Sequence, residues 1–408
     1  MFKKLHEFLL SPIFIGLLLV VSLVARRYSL PVISLDMSAG LFDWYAFILK
    51  RGFVGAFKEN FALYTPPYLY LLWFMSWMNG IVSVVTLIKA ISIVFDVLCC
   101  YYVYKITALK YPHTRVPWLA AVLAFSLPTM ILNSSYWGQC DSIYTAFLLA
   151  CLYFLLVERP LWALFFFSLA FAFKLQAIFL APFLALYTLR KKMPWWGFVL
   201  VPVVYVLLVI PTIYAGRDWL DVLTIYAHQT DKFPKWSSTT PNLYLPLQGV
   251  VPLTDTLTLA TILLAGVSIG LWVLLVWKKQ KQYRYNSMVL AGLASVGLTP
   301  FLLPRMHQRY FFPQDLLSLV AAFFFPELWF LPLFSQIISV LSYSPFLFNY
   351  SFQINLFGLH LNAILWLALP LEIVLLCVTL WKQFHEPVEH NPSGEFLNPP
   401  QPSQSDSR

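Results

Sequence analysis

Uncharged apolar runs long enough to cross a lipid bilayer recur along almost the whole chain, and they restrict its fold more than any other feature. Residues 9–25 carry no charge, between Lys3 and Lys4 on one side and Arg26 and Arg27 on the other, and similar runs follow up to residue 381. A bilayer core about 30 Å thick takes about 20 helical residues. In hydrocarbon the backbone must bond to itself, which leaves helices or closed barrels. Barrel strands would alternate apolar and polar positions, and these runs do not, so the expectation is an all-α integral membrane protein. Composition agrees: the 408 residues are 60% hydrophobic and 11% charged, against about 45–50% and 25% in soluble domains.

About twelve helices are expected, at 9–25, 84–104, 116–133, 141–157, 160–173, 175–189, 195–215, 257–277, 287–303, 311–325, 328–343 and 359–381. With the start of the chain in the cytoplasm, the inner connections receive Lys105, Lys110 and Arg115, then Arg159, then Arg190 to Lys192, then Lys278, Lys279, Lys281 and Arg284, as the positive-inside bias requires. Counting the apolar segment 64–78 as a span would reverse that order, so it is assigned to the outer surface. Two large external loops result, about 26–83 and 216–256, the first with helical apolar spacing suited to the interface. Residues 1–381 thus form one transmembrane domain. Residues 382–408, rich in Pro, Ser, Asn and Glu, are expected to be a disordered cytoplasmic tail. The first run is too long for a secretory signal and lacks a small-residue cleavage site. With no endoplasmic-reticulum signal in the tail, the expected location is a bacterial plasma membrane.

The formal charge of +9 is spread over separate loops without a basic block, which argues for anionic membrane lipid as partner and against nucleic acid. The five cysteines show no CxxC or Cys/His spacing, so neither zinc nor a disulfide framework is indicated. No dinucleotide or phosphate-loop fingerprint is present. GVSIG at 266–270 matches a nucleophile-elbow pattern but lies inside a span, where it reads as small-xxx-small helix packing.

Polar residues that could carry chemistry collect in the outer turns. Asp36, in PVISLDMSAGLFDWY, could take a proton from an attacking hydroxyl; its simpler role is a helix cap. Asp43 is a second candidate by the same logic. In WGQCDSIY, Gln139, Asp141 and Tyr144 could bond a sugar or phosphate, although Asp141 also suits a helix N-terminus. RMHQRY sets Arg305 and Arg309 around His307, and arginine's planar fork fits phosphate oxygens. Lys174, in FKLQ, could neutralise a leaving phosphate or simply snorkel to headgroups. The second loop offers Trp236 to a sugar face. Inside the bilayer, Asp96 is expected to pair between helices, Lys89 is too far along the same helix to be its partner, and Glu372 stands alone.

Asp36, YTPPYLY, WGQCDSIY, FKLQ and RMHQRY, in this order and on one membrane face, resemble the GT-C superfamily of glycosyltransferases, in particular bacterial mannosyltransferases and the dolichol-pathway glucosyltransferases. The likeness runs to about Tyr310. It implies a GT-C fold and an inverting transfer of a hexose, mannose or glucose, from a polyprenyl-phosphate sugar to a lipid-linked or envelope glycan acceptor. Asp36 would be the base; Lys174, Arg305, His307 and Arg309 would hold the donor phosphate; Gln139, Asp141, Tyr144, Asp43 and Trp236 would contact sugar. The segment YTPPYLYLL resembles that family's surface helix. No acidic pair follows Asp36, which argues against a divalent metal, and no cofactor is expected. Gln308 stands where relatives often carry an acid. A transporter or lipid-sugar flippase is the rival reading; it would concentrate polar groups at the bilayer midplane.

Overall fold

The computed structural model describes residues 7–227, 235–279, 285–348, 353–356 and 359–385. Among the described residues the chain is a helical bundle with two short two-stranded pairings. In order, α1 is Pro12–Ser29, α2 Phe42–Phe57, α3 Pro66–Ser76, α4 Val84–Lys110, α5 Val116–Phe125, α6 Pro128–Trp137, α7 Asp141–Leu156 and α8 Pro160–Phe173. There follow α9 Leu175–Leu189, α10 Trp195–Tyr214, α11 Trp219–Leu223, α12 Asp255–Lys279, α13 Tyr285–Leu302, α14 Phe312–Phe324, α15 Pro326–Leu347 and α16 Ala363–His385.

Each of the twelve expected apolar segments is occupied by helix. Among the described residues, seven helices are long and apolar enough to cross a membrane, or eight if the pair α5 and α6, bent by 45°, is one span. The other four, α7, α8, α9 and α14, are shorter apolar helices, so a count of twelve spans does not follow from length. The bend has a local cause: Leu127 precedes Pro128, which pushes it out of helical geometry, and it sits at φ −56°, ψ 129°. The last expected segment, 359–381, also changes: 359–362 is strand β4, antiparallel to β3, Gln353–Leu356, and the helix begins at Ala363. Residues 386–408, Lys281 and Arg284 lie outside the described residues.

Helix α7 is the buried axis, packed by α4, α8 and α14, whereas α1 and α12 expose long apolar faces. Gly266 and Gly270 lie on α12, and a Cβ at either would meet nothing within 4 Å, so among the described residues the expected small-residue packing is absent. Segment 64–78 holds α3, whose 11 residues span about 16 Å at 1.5 Å each, too short to cross. It packs on α2 and α4 over an aromatic cluster that includes Phe53, Phe57 and Tyr70.

The intramembrane charges expected from the sequence each have a hydrogen-bonded partner, and one ion pair is among them. Arg26, expected in the first loop, belongs to α1, is 3% exposed, and bonds Asp96 of α4 at 2.7 Å, with Ser134, Ser135 and the Phe125 carbonyl completing the set. Glu372 does not stand alone, because Gln314 Nε2 donates to it at 2.8 Å.

The two ends of the bundle differ. At one end the short connections meet: Tyr111 Oη donates to the Phe323 carbonyl at 2.8 Å, Lys192 pairs with Glu158 at 3.3 Å, Lys382 pairs with Glu327 at 2.7 Å, and Arg190 bonds the Trp277 carbonyl. Helix α4, 27 residues long and thus about 40 Å, separates this basic end from the polar turns around Asp36 and Gln139.

Candidate active site

Asp36 ends the turn after α1 and enters a π-helical stretch, Met37–Leu41, that runs into α2; its side chain caps no backbone N–H. The helix-cap role is therefore excluded. Instead its Oδ2 accepts from Trp137 Nε1 at 2.9 Å and from Gln139 Nε2. Both donors come from the break between α6 and α7, where Gly138 adopts φ 79° and lets the chain reverse. The Asp36 carboxylate stays 32% exposed, so a hydroxyl can still reach it.

A second, fully buried acid stands behind it. Asp141, the first residue of α7, accepts from Lys174 Nζ at 2.6 Å and from Asn133 Nδ2 at 2.8 Å. Lys174 points there because the chain breaks between α8 and α9, with Lys174 extended at φ −150°, ψ 137°. Its ammonium lies 5.2 Å from the Tyr64 ring, and Tyr64 Oη donates to Gln139 Oε1 at 3.1 Å.

Arg309 joins the two acids. Its Nη1 is 3.8 Å from Asp36 and its Nε 3.5 Å from Asp141, and the guanidinium lies over the Trp137 ring at 5.6 Å. These distances are long for hydrogen bonds, and the buried Nε makes none. Burial pulls both cations toward neutrality, but Asp141 reverses this at Lys174, and Tyr64 with Asp141 reverses it at Arg309, so both are held above their ordinary values. His307 is pushed down to about 3 by burial and then by Arg309 and Lys174. Its surroundings thus favour the neutral imidazole, a hydrogen-bonding group. Among the described residues no three His, Cys, Asp or Glu side chains gather as metal ligands.

The structure thus brings together Asp36, Gln139, Asp141, Lys174 and Arg309, with His307 close by. Tyr144 is buried beneath, its ring 5.9 Å from Lys174 Nζ. Three other expected residues face elsewhere. Arg305, at φ 60°, is 3.5 Å from Asp255 and 3.2 Å from Thr258 of α12. Trp236 stacks on Tyr244 at 5.5 Å and gives its N–H to the Val251 carbonyl at 2.6 Å, so its indole braces its own loop. That loop reaches the site through its backbone: β1, Ser237–Ser238, pairs in parallel with β2, Met306–His307. Asp43 is exposed on α2, and neighbouring Asp231 and Lys232 in the second loop lie outside the described residues. Sequence reasoning missed Trp137, Tyr64 and Asn133 as partners. The first two sit inside WGQCDSIY and YTPPYLY, whereas Asn133 lies in an apolar helix with no motif around it.

Comparison with known proteins gives one positive finding and one negative. The family model of glycosyltransferase family 87 matches residues 62–304, more than half of the chain, which takes in Gln139, Asp141 and Lys174 and leaves both Asp36 and Arg309 outside. No curated protein matches.

Proposed function

The chain belongs to glycosyltransferase family 87, a GT-C type membrane family, and from that membership we propose an inverting hexosyl transfer centred on Asp36. The donor is a polyprenyl-phosphate mannose or glucose, and the acceptor is a lipid-linked or envelope glycan at the external face of the membrane. An acceptor hydroxyl attacks the sugar C1 and gives its proton to Asp36. The bond from C1 to the phosphate oxygen breaks, and polyprenyl phosphate leaves with the electron pair. Arg309 and Lys174 offset the charge that develops on the leaving oxygen. Neutral His307 and Gln139 orient phosphate and sugar, and Asp141 holds the two cations in place.

The observation that supports this most is the meeting of one accessible carboxylate with a buried guanidinium 3.8 Å away. A sugar between a base and a phosphate ligand needs about 6.5–9.5 Å or more, so on this reading Arg309 swings away from Asp36 to the donor phosphate, which its long contacts to both acids permit. The lipid donor also suits a chain built as a membrane bundle, since the prenyl chain stays in the bilayer while the phosphate reaches its boundary. The rival transport reading draws on buried Asp315 and Glu372, but Ser335 and Ser339 hold Asp315 at 2.7 and 2.9 Å and Gln314 holds Glu372.

Purified protein in nanodiscs, given radiolabelled polyprenyl-phosphate mannose or glucose and extracted lipids, should produce labelled glycolipid. Asp36→Asn and Asp36→Ala should each lose about 10²–10⁴-fold in rate, the range for general-base removal, with thermal melting unchanged. Full activity in either variant refutes the assignment.

A further inference from the structure

Lys89, like Arg26, Asp96, Asp315 and Glu372, is a buried charge inside the bundle that the transfer reaction does not use. It lies near the start of α4, fully buried, and its ammonium donates to three backbone carbonyls: Ser29 at 3.0 Å, Leu30 at 3.0 Å and Val32 at 2.6 Å. An ammonium has three donors, so this set saturates it. The acceptors are carbonyls at the end of α1 and in the turn that follows, and that of Ser29 also accepts from Val32 N at 3.2 Å. A buried ammonium is expensive to desolvate, and a hydrocarbon side chain would fill the space, so the charge has a use that packing alone does not supply.

That use is legible from what the turn carries. Asp36 follows Val32 by four residues, and between them Ser34 Oγ donates to the Trp137 carbonyl at 2.6 Å and accepts from Met37 N at 3.3 Å. On the same face of α4, one turn on, Ser92 Oγ donates to the Gln139 carbonyl at 2.6 Å. One face of one helix therefore grips both the segment that bears Asp36 and the segment that bears its two donors, Trp137 and Gln139. The three meet at Gly138, where a Cβ would come within 2.9 Å of Met37 Sδ and 3.7 Å of Lys89 Cγ.

We propose that Lys89 is a positioning residue: it ties the 29–36 turn to α4 and so keeps the Asp36 carboxylate in register with Trp137 and Gln139. The proposal rests on Asp36 being the base, but the tie itself is measurable without activity. In Lys89→Met, deuterium uptake by the 30–41 peptide should speed up by about tenfold or more, and kcat should fall by about 10–100-fold, the loss expected when a reacting group shifts by about 1 Å. KM for polyprenyl-phosphate mannose or glucose should stay within about twofold, since the phosphate ligands are untouched, and Lys89→Arg should restore most of both properties.

Unchanged deuterium uptake in Lys89→Met overturns the proposal, as does faster uptake with native kcat, or a loss that falls on KM. If Lys89→Met does not fold, Ser34→Ala cuts the adjoining tie with the ammonium in place and must show the same split between kcat and KM; native kcat there overturns it too. If the native chain transfers neither sugar, the enzyme reading fails on that result, and the exchange data alone decide whether Lys89 secures the turn.

Discussion

Arg309 stands between two carboxylates without hydrogen-bonding either, and this makes it the residue whose partner changes most easily on substrate binding. Asp36 and Asp141 are 3.8 and 3.5 Å from it, and Lys174 already holds Asp141 at 2.6 Å, so the guanidinium can turn its fork to an incoming phosphate while Asp141 keeps a counter-ion. Arg309→Met should therefore lower kcat/KM by about 10²–10³-fold, in the range seen when one transition-state donor is removed. Arg309→Lys should recover only part, because an ammonium lacks the planar fork; steady-state kinetics on both variants checks this. His307 gives a stability test. Its folded value of about 3 lies below the ordinary histidine value of 6.5, so the unfolded chain binds more protons between those limits. The contribution of neutral His307 is full above about pH 6.5 and is lost as pH falls toward 3. His307→Gln should flatten the acid side of the melting-temperature profile between pH 6.5 and 4, and an unchanged slope means the imidazole is not buried neutral.

At the level of elements, the Arg26–Asp96 pair fixes α1 to α4 and, through Ser134 and Ser135, to α6. Removing one partner strands a buried charge, which typically costs about 3–5 kcal/mol, so Asp96→Leu should melt well below the native protein in detergent. The double variant Arg26→Met with Asp96→Leu should regain much of the loss, because no lone charge remains; equal melting of single and double variants would contradict this. The same pair shows what a sequence can reveal about such a fold. Helical segments were legible because hydrocarbon forces each apolar run to satisfy its own backbone. Their partners were not, since Arg26 and Asp96 lie 70 positions apart, Trp137 and Asp36 lie 101 apart, and Tyr64 and Gln139 lie 75 apart. An arginine at a helix end reads as a boundary marker until the neighbouring helix is known to hold its acid. The polar turns, by contrast, were legible as motifs, because a carboxylate or guanidinium between apolar runs is conspicuous; what stayed hidden was the split between Arg309, which turns toward Asp36, and Arg305, which turns toward α12. No pattern announces the positive φ of Arg305 or the extended break at Lys174.

The whole molecule is polarised along its long axis, with short basic connections at one end and the Asp36 cluster at the other. By the positive-inside bias we propose that the short connections face the cytoplasm and the cluster the outside. The site end is not free of positive charge, since Lys50, Arg51 and Lys58 lie in its first loop, but the bias is counted within about 15–20 residues of a span end and these three lie farther than that from Ser29 and Val84, whereas Arg159, Arg190 to Lys192 and Lys278 sit beside helix ends. Orientation decides which pool of lipid-linked sugar the enzyme meets, so it is the property on which the external-face assignment turns. Single cysteines report it. Cys377 is exposed and would be replaced by serine, while Cys99, Cys100, Cys140 and Cys151 are buried. On that background Asp43→Cys, exposed at the site end, should react with a membrane-impermeant maleimide in intact cells. Lys192→Cys, whose native side chain is 46% exposed at the opposite end, should react only after the membrane is opened. The reverse pattern would put Asp36 and Arg309 in the cytoplasm, and the acceptor would then have to be a cytoplasmic-leaflet glycan, with the chemistry of the site unchanged.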